Sequence, residues 1–197
     1  MAYRVTYRGY KGFNLGPIGF LIVVNLIFYI ATSIRPELFI SIFGFNPAGF
    51  LERPWTIVTN LFIHAPFPSI WHILGNMLTL YFFGSYLLGL IGEINFFIVY
   101  FIGGILGNIV FMLLASPFST AIGASGAVFA VGGALAVMRP KLRVFIIPIP
   151  IPIPLWVAVI GGFLVISPGV AWQAHLGGLV LGLLAGYFFR RRSRRFF

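Results

Sequence analysis

The sequence has no cysteine and only three acidic residues among 197, and 8% of its residues are charged. The acids are Glu37, Glu52 and Glu93, so aspartate is absent altogether. The lack of cysteine excludes disulfides, thiolate nucleophiles and cysteine metal sites. Soluble domains ordinarily carry about 25% charged residues, so a water-soluble domain is excluded as well.

Apolar residues are abundant instead, because hydrophobic residues make up 60% of the chain and its mean hydropathy is +1.04. This composition predicts an all-α membrane protein, a single polytopic domain over residues 1–197. The first span shows no small-residue cleavage site, so we expect it to be retained. The core at 17–189 includes an apolar loop at 35–69, which is expected to lie in the membrane interface. The six predicted spans are 17–32, 70–91, 94–115, 123–138, 155–166 and 171–189.

Basic residues give the expected orientation. The net charge is +10, and eleven of the 13 Lys and Arg residues fall in the tail 1–16, the connection 139–154 and the tail 190–197. Only Arg35 and Arg53 fall in the long first loop. Since basic residues mark cytoplasmic segments, both termini are predicted to be cytoplasmic in a cell-membrane protein. Charge placed in this way argues against a nucleic-acid partner. The alternate prolines of 148–154 predict an extended spacer.

The fourth predicted span is too short to cross a membrane at full depth. Its sixteen residues would span about 24 Å as a helix, against about 30 Å of hydrocarbon. Ser125, in the sequence Gly123-Ala124-Ser125-Gly126, is therefore expected in a recessed first turn. His175 begins the sixth span, which runs in the same direction, so the two polar groups are predicted at one depth.

Small-residue stripes predict that these two spans pack closely. A serine beside a histidine is a candidate nucleophile with its base. No carboxylate is expected nearby, so the pattern predicts a Ser-His dyad whose imidazole rests against Phe129. The facing stripes are Ser125, Phe129, Gly132 and Gly133 on the fourth span and His175, Gly178, Gly182 and Gly186 on the sixth.

His72 and Asn76 stand four residues apart at the start of the second span, which also runs inward. Both can donate hydrogen bonds, and with the free amide of Ser125 they could bind a developing oxyanion. Plainer interpretations exist. Ser125 could be a packing residue, and His175 could be a buried residue that only makes hydrogen bonds. His72 and Asn76 could connect the second span to the loop. Their coincidence at one depth favours a site.

Other polar residues receive structural interpretations. His64 lies in the apolar loop, and Asn25 and Asn108 are single amides within spans that would join helices. The histidines lack a carboxylate or thiolate companion, which does not favour zinc. No metal or cofactor is predicted.

The polar motifs resemble those of the rhomboid family of intramembrane serine proteases. Gly123 to Gly126 resemble its GxSG motif, Ala174 to Gly178 its histidine motif, and His72 with Asn76 its HxxxN motif. The resemblance covers about 17–189. It implies a rhomboid-like bundle of six transmembrane helices with a short central fourth helix.

The resemblance also implies roles. Ser125 would be the nucleophile and His175 the general base and acid, with His72 and Asn76 stabilising the oxyanion and Gly123, Gly126 and Phe129 in support. The sequence departs from the family pattern twice. Thr56, not arginine, follows Trp55, and Phe129 stands where some members have tyrosine.

The predicted function is therefore that of an intramembrane serine endopeptidase. Its expected partners are single-span membrane-protein substrates that unwind at small or helix-breaking residues, together with membrane lipid. Two alternatives remain open at this point: a non-catalytic rhomboid-like adaptor that binds client helices, and a solute or proton pathway built on His72, Asn76 and His175.

Overall fold

The computed structural model describes residues 16–145 and 151–193. Most of this part of the chain is helical, with turns of 3-10 helix at Asn60–Phe62 and of π-helix at Leu80–Gly84. Strands β1 (Arg143–Val144) and β2 (Ile153–Pro154) form one short antiparallel pair. The α-helices are α1 (Gly16–Ile34), α2 (Pro36–Phe43), α3 (Thr56–Thr59), α4 (Ile70–Thr79), α5 (Ser85–Ile91), α6 (Glu93–Leu114), α7 (Ser125–Met138), α8 (Leu155–Ile166) and α9 (Trp172–Ser193).

Four helical stretches of the described chain are long and apolar enough to cross a membrane: Gly16–Ile34, Ile70–Ile91, Glu93–Leu114 and Trp172–Arg192. They confirm the prediction of a predominantly helical, multi-pass membrane protein. The remaining apolar helices are shorter, since α7 has 14 residues and α8 has 12. At 1.5 Å per residue these helices are about 21 Å and 18 Å long.

Three details differ from the predicted elements. The connection after α7 contains the β1–β2 pair, so the chain is not strictly all-α. A π-helical turn interrupts the second predicted span. α9 continues to Ser193, which places Arg190 to Arg192 in the helix, although they were predicted to lie in a tail. Outside the described residues lie Arg4, Arg8, Lys11, Pro148, Pro150, Arg194 and Arg195.

α7 is the buried centre of the bundle. Ten of its 14 residues are buried, and it packs mainly against α6 and α9, with α8 on a further side. Its glycine and alanine residues make this possible, because small side chains allow helix backbones to approach closely. A short helix of small residues is thus surrounded on several sides.

Glycines of α9 form the closest contact with α7. A Cβ on Gly178 or Gly182 would clash with the backbone carbonyl of Gly126 or Ala130, and one on Gly186 would lie 2.5 Å from the Ala134 oxygen. The predicted stripe on α9 therefore does face α7. On α7 the closest contact is formed by Gly126, Ala130 and Ala134, which the predicted stripe did not include. Gly133 of the predicted stripe does face α9, since a Cβ there would lie 3.0 Å from the Leu179 oxygen. The predicted stripe is wrong at one position. Gly132 instead faces Val159 of α8.

The connection between α1 and α4 is folded, and its side chains satisfy the carbonyl end of α2. Arg53 donates to the Ser41 oxygen, Trp55 Nε1 to Ile42 over 3.0 Å, and Thr59 Oγ1 to Phe43 over 3.1 Å. The last carbonyls of a helix have no partner within it. Arg53, placed before rather than after Trp55, thus anchors this loop to α2.

Candidate active site

Ser125 is the first residue of α7, and a constrained turn precedes it. Gly123 has a φ of +116°, a backbone conformation open mainly to glycine. Its amide donates to the Asn60 carbonyl oxygen over 2.9 Å. The Ser125 amide has no backbone acceptor among the described residues, as is usual at a helix start. The turn therefore places a half-buried hydroxyl and an unpaired amide at the same point.

His175 reaches Ser125 from the first turn of α9. Its Nε2 lies 2.7 Å from Ser125 Oγ, and the residue is 3% exposed. The Phe129 ring, one turn into α7, covers the imidazole with ring centroids 4.8 Å apart. Gly126 allows the approach, since a Cβ there would lie 3.2 Å from the Ala174 oxygen. The structure thus brings together the serine, histidine and phenylalanine singled out in the sequence.

The second ring nitrogen of His175 has a partner that sequence analysis missed. Ser167 Oγ lies 2.8 Å from Nδ1, and the serine is 2% exposed. The imidazole is therefore held by a hydrogen bond as well as by the predicted packing against Phe129. Within the described chain, the hydrogen bonds of the His175 ring join it to two hydroxyls and to no carboxylate. The one available signal was the Ser167-Pro168-Gly169 turn just before the helix that carries the histidine.

His72 faces the glycine turn on the other side of Ser125. Its Nδ1 accepts a hydrogen bond from the Ala65 amide over 3.2 Å, so in the neutral ring Nε2 carries the proton. A Cβ on Gly123 would lie 2.7 Å from that Nε2 and 3.8 Å from Ser125 Oγ. The distance between His72 Nε2 and Ser125 Oγ therefore cannot exceed 2.7 Å plus 3.8 Å. A small polar group could contact both.

Asn76 lies one turn below His72 and is 7% exposed. Its Nδ2 donates to the His72 carbonyl oxygen over 2.8 Å, which uses one of the two amide hydrogens. The structure gives it no hydrogen bond to Ser125. Of the two predicted oxyanion donors, His72 thus lies beside the turn that carries Ser125. Asn76 donates to a carbonyl of α4, the helix that carries His72.

A buried amide pair holds the first loop against the turn before Ser125. Asn60 and Asn108 donate to each other's Oδ1 over 3.0 and 2.8 Å, and Asn108 also donates to the Ile57 oxygen over 2.7 Å. Asn60 additionally accepts the Gly123 amide. Asn108 was predicted to join two helices, but it joins α6 to the loop. Asn60 carried no sequence signal, since its partner lies 48 residues away.

His64 is fully buried behind His72, with ring centroids 5.0 Å apart. Neither of its ring nitrogens makes a hydrogen bond of normal geometry with a described residue. Burial, with a smaller contribution from His72, lowers the pKa of His64 to about 3. It is therefore a neutral packing residue at ordinary pH. Over 16–145 and 151–193, no three His, Cys, Asp or Glu side chains cluster in a way that could hold a metal ion.

Comparison with known proteins gives consistent matches. The family model of the rhomboid domain matches residues 51–192. Rhomboid protein 1, mitochondrial, of Saccharomyces cerevisiae is 31% identical over 157 residues, 71% of this chain and 44% of that protein. The putative rhomboid protease YdcA of Bacillus subtilis is 28% identical over 160 residues, 79% of this chain and 78% of that protein. Rhomboid-like protease 3 of Toxoplasma gondii is 30% identical over 144 residues, 71% of this chain and 53% of that protein. The chain thus spans less than half the length of the yeast relative.

Proposed function

This chain belongs to the rhomboid family, and we propose that it is an intramembrane serine endopeptidase that cleaves in or near transmembrane segments of other membrane proteins. The observation that carries the proposal is the 2.7 Å contact between Ser125 Oγ and His175 Nε2. It joins a nucleophile directly to a base, at the buried start of a short helix. Relatives named as proteases add support at the level of the family.

In the proposed reaction, Ser125 Oγ attacks the carbonyl carbon of the scissile peptide bond while His175 Nε2 takes the hydroxyl proton. The resulting tetrahedral oxyanion accepts hydrogen bonds from the Ser125 amide and from His72 Nε2–H. Loss of one such donor costs about 100- to 1,000-fold in enzymes where it has been measured. Asn76 contributes by its hydrogen bond to the His72 carbonyl, or by donating its second amide hydrogen to the oxyanion.

Collapse of this intermediate breaks the peptide bond, and His175 returns its proton to the leaving amine. The substrate is then an acyl ester of Ser125. The same imidazole removes a proton from a water molecule, which attacks the ester and releases the second product. Proton and bond changes balance over the two steps, and no metal or cofactor enters them.

The proposed arrangement in the membrane has six spans, with α7 and α8 as short fourth and fifth spans and α4, the π turn and α5 as the second. α7 is central, and its N-terminal end lies below the outer surface because the helix is shorter than the hydrocarbon core. We assign both termini, 1–16 and 190–197, to the cytoplasm of a cell-membrane protein. The site would open to the outer face, where water can reach it.

A transmembrane helix shields its own peptide bonds, so substrates must unwind locally before attack. Single-span proteins with small or helix-breaking residues near the outer face are the proposed substrates. A non-catalytic adaptor would bind the same helices and leave them intact, so a cleavage assay separates the two functions.

The test is cleavage of a labelled single-span substrate by the full chain in lipid vesicles. Wild type should release both fragments, and Ser125→Ala and His175→Ala should each lose at least about 1,000-fold in rate. Ser85→Ala, a change at an exposed serine of α5, is the matched control and should cleave like wild type. A fluorophosphonate probe should label wild type and Ser85→Ala only. Equal cleavage by wild type and Ser125→Ala would overturn the proposal.

A further inference from the structure

Ser167 is fixed on both sides of its backbone. Its amide donates to the Phe163 oxygen over 3.1 Å at the end of α8, and its carbonyl accepts the Val170 amide over 3.2 Å. The side chain is buried, and its Oγ lies 2.8 Å from His175 Nδ1. A hydroxyl held in this way is a built partner for the histidine, since its position depends on a fixed backbone and a single side-chain torsion.

The direction of this hydrogen bond decides what His175 can do. A neutral imidazole carries one proton, so Nε2 can accept the Ser125 proton only when Nδ1 bears the hydrogen. Nδ1–H then donates to Ser167 Oγ. In the other tautomer Nε2 donates to Ser125 and cannot act as a base. Once His175 has taken the serine proton, both nitrogens are donors, and Ser167 still accepts from Nδ1.

Packing does not supply this selection. The Phe129 ring lies against a face of the imidazole at an interplanar angle of 38°, and that contact is insensitive to which nitrogen bears the proton. A buried N–H without an acceptor is unfavourable. Without Ser167, the ring would therefore turn or change tautomer to avoid leaving Nδ1–H unpaired.

We propose that Ser167 is a positioning residue, which holds His175 in the Nδ1–H tautomer and accepts the Nδ1 hydrogen bond throughout the reaction. This inference rests on the proposed function, because it assigns a role within the same reaction. It extends the predicted dyad to a hydrogen-bonded chain of Ser125, His175 and Ser167. The second serine touches no substrate and acts only through the imidazole.

The kinetic test compares Ser167→Ala, Ser167→Cys and Ser167→Thr with the exposed control Ser85→Ala. Leaving a buried N–H without its acceptor corresponds to a factor of about 5 to 150 in rate, so kcat should fall by roughly 10- to 100-fold in the alanine and cysteine variants, with KM unchanged. Cysteine fills the same space but is a weak hydrogen-bond acceptor, which separates hydrogen bonding from packing. Threonine keeps the hydroxyl and should restore most of the rate.

A second readout does not depend on cleavage. The chain has three histidines, so nitrogen-15 spectra of histidine-labelled protein can be assigned with His64→Phe and His72→Gln. Wild-type His175 should show a protonated Nδ1 and an unprotonated Nε2. Ser167→Ala should shift it towards a mixture of tautomers, whereas Ser85→Ala should not.

The outcomes separate the two proposals. If Ser125→Ala abolishes cleavage but Ser167→Ala keeps the wild-type kcat, the positioning role is refuted and the protease proposal stands. If wild type cleaves nothing, the protease proposal fails. An unchanged His175 tautomer in Ser167→Ala refutes the positioning role in either case.

Discussion

Replacing Gly178 by alanine should separate α7 from α9 and break the Ser125–His175 contact. The added methyl group would clash with the Gly126 carbonyl, and backbone of a buried helix cannot move aside as a side chain can. α9 would have to withdraw by about 1 Å to restore van der Waals distance. Since Gly178 lies one turn from His175, the 2.7 Å hydrogen bond would stretch beyond hydrogen-bond range.

The effects on stability and activity should differ in size. Overpacking costs about 1–3 kcal/mol, while alanine gains about 1 kcal/mol over glycine in helix propensity. The two partly cancel, so the thermal midpoint in detergent should fall only moderately. A misplacement of about 1 Å at a reacting group can cost about 100-fold in rate. Cleavage in vesicles should therefore fall far more than stability does.

Two further glycines serve as controls. Gly186→Ala is also crowded, with its Cβ 2.5 Å from the Ala134 oxygen, but it lies roughly 16 Å along α9 from His175. Gly186→Ala should lower stability but reduce cleavage less than Gly178→Ala does. Gly89→Ala meets nothing within 4 Å, so it should leave cleavage unchanged and raise stability by up to about 1 kcal/mol through helix propensity. Cleavage by Gly178→Ala at the Gly89→Ala rate would refute the argument that close helix contact positions the dyad.

Three further predictions concern residues around the site. Because burial lowers the pKa of His64 to about 3 from 6.5, the unfolded chain binds more protons between these values. Stability should therefore fall as the pH drops from 6.5, by at most about 5 kcal/mol at pH 3, and His64→Phe should flatten the dependence of the thermal midpoint on pH. Asn108→Leu should lower stability by about 1–3 kcal/mol, because the buried Asn60 amide loses its partner, as denaturation in detergent would measure. Gly123→Ala should abolish cleavage, since its Cβ would lie 2.7 Å from an imidazole nitrogen, whereas Gly92→Ala, at another positive φ but in open space, should cleave normally.

Each of these has an outcome that contradicts it. The first fails if wild type and His64→Phe lose stability in parallel on acidification. The second fails if Asn108→Leu costs no more than Asn95→Leu, because Asn95 is exposed and its amide donates to the nearby Ile91 oxygen. The third fails if both glycine variants lose cleavage equally, since backbone strain alone would then explain the loss.

Local patterns were enough to predict the helices and the pair at the centre of the site. Hydropathy depends on neighbouring residues, so the helices were found to within a few positions. The meeting of Ser125 and His175 followed from span direction and from helix faces, both of which are periodic. The predicted contact face of α7 was wrong at Gly132, because alanine and glycine are almost equally small, and Ala130 meets α9 where Gly132 was expected.

Features that depend on single long-range hydrogen bonds were not predictable. The Asn60–Asn108 pair joins residues 48 positions apart, and a contact of this kind produces no periodic pattern in the sequence. The π-helical turn at Leu80–Gly84 adds a residue to one turn without any proline or polar signal. The sequence shows that no arginine follows Trp55, but the hydrogen bond from Arg53 to the Ser41 carbonyl depends on where α2 ends.

The use of Ser167, and not a carboxylate, as the partner of His175 has a physical explanation. A carboxyl group at the depth of α7 would have to be ionised to stabilise an imidazolium by its charge, and charge is expensive inside a membrane. A buried hydroxyl accepts the same hydrogen bond at little cost in desolvation, and it remains neutral through every step. It orients the ring but adds no negative charge to stabilise the imidazolium. The proposed hydrogen-bonded chain therefore lacks part of the electrostatic stabilisation that a carboxylate would give, but its second serine can be buried in the membrane.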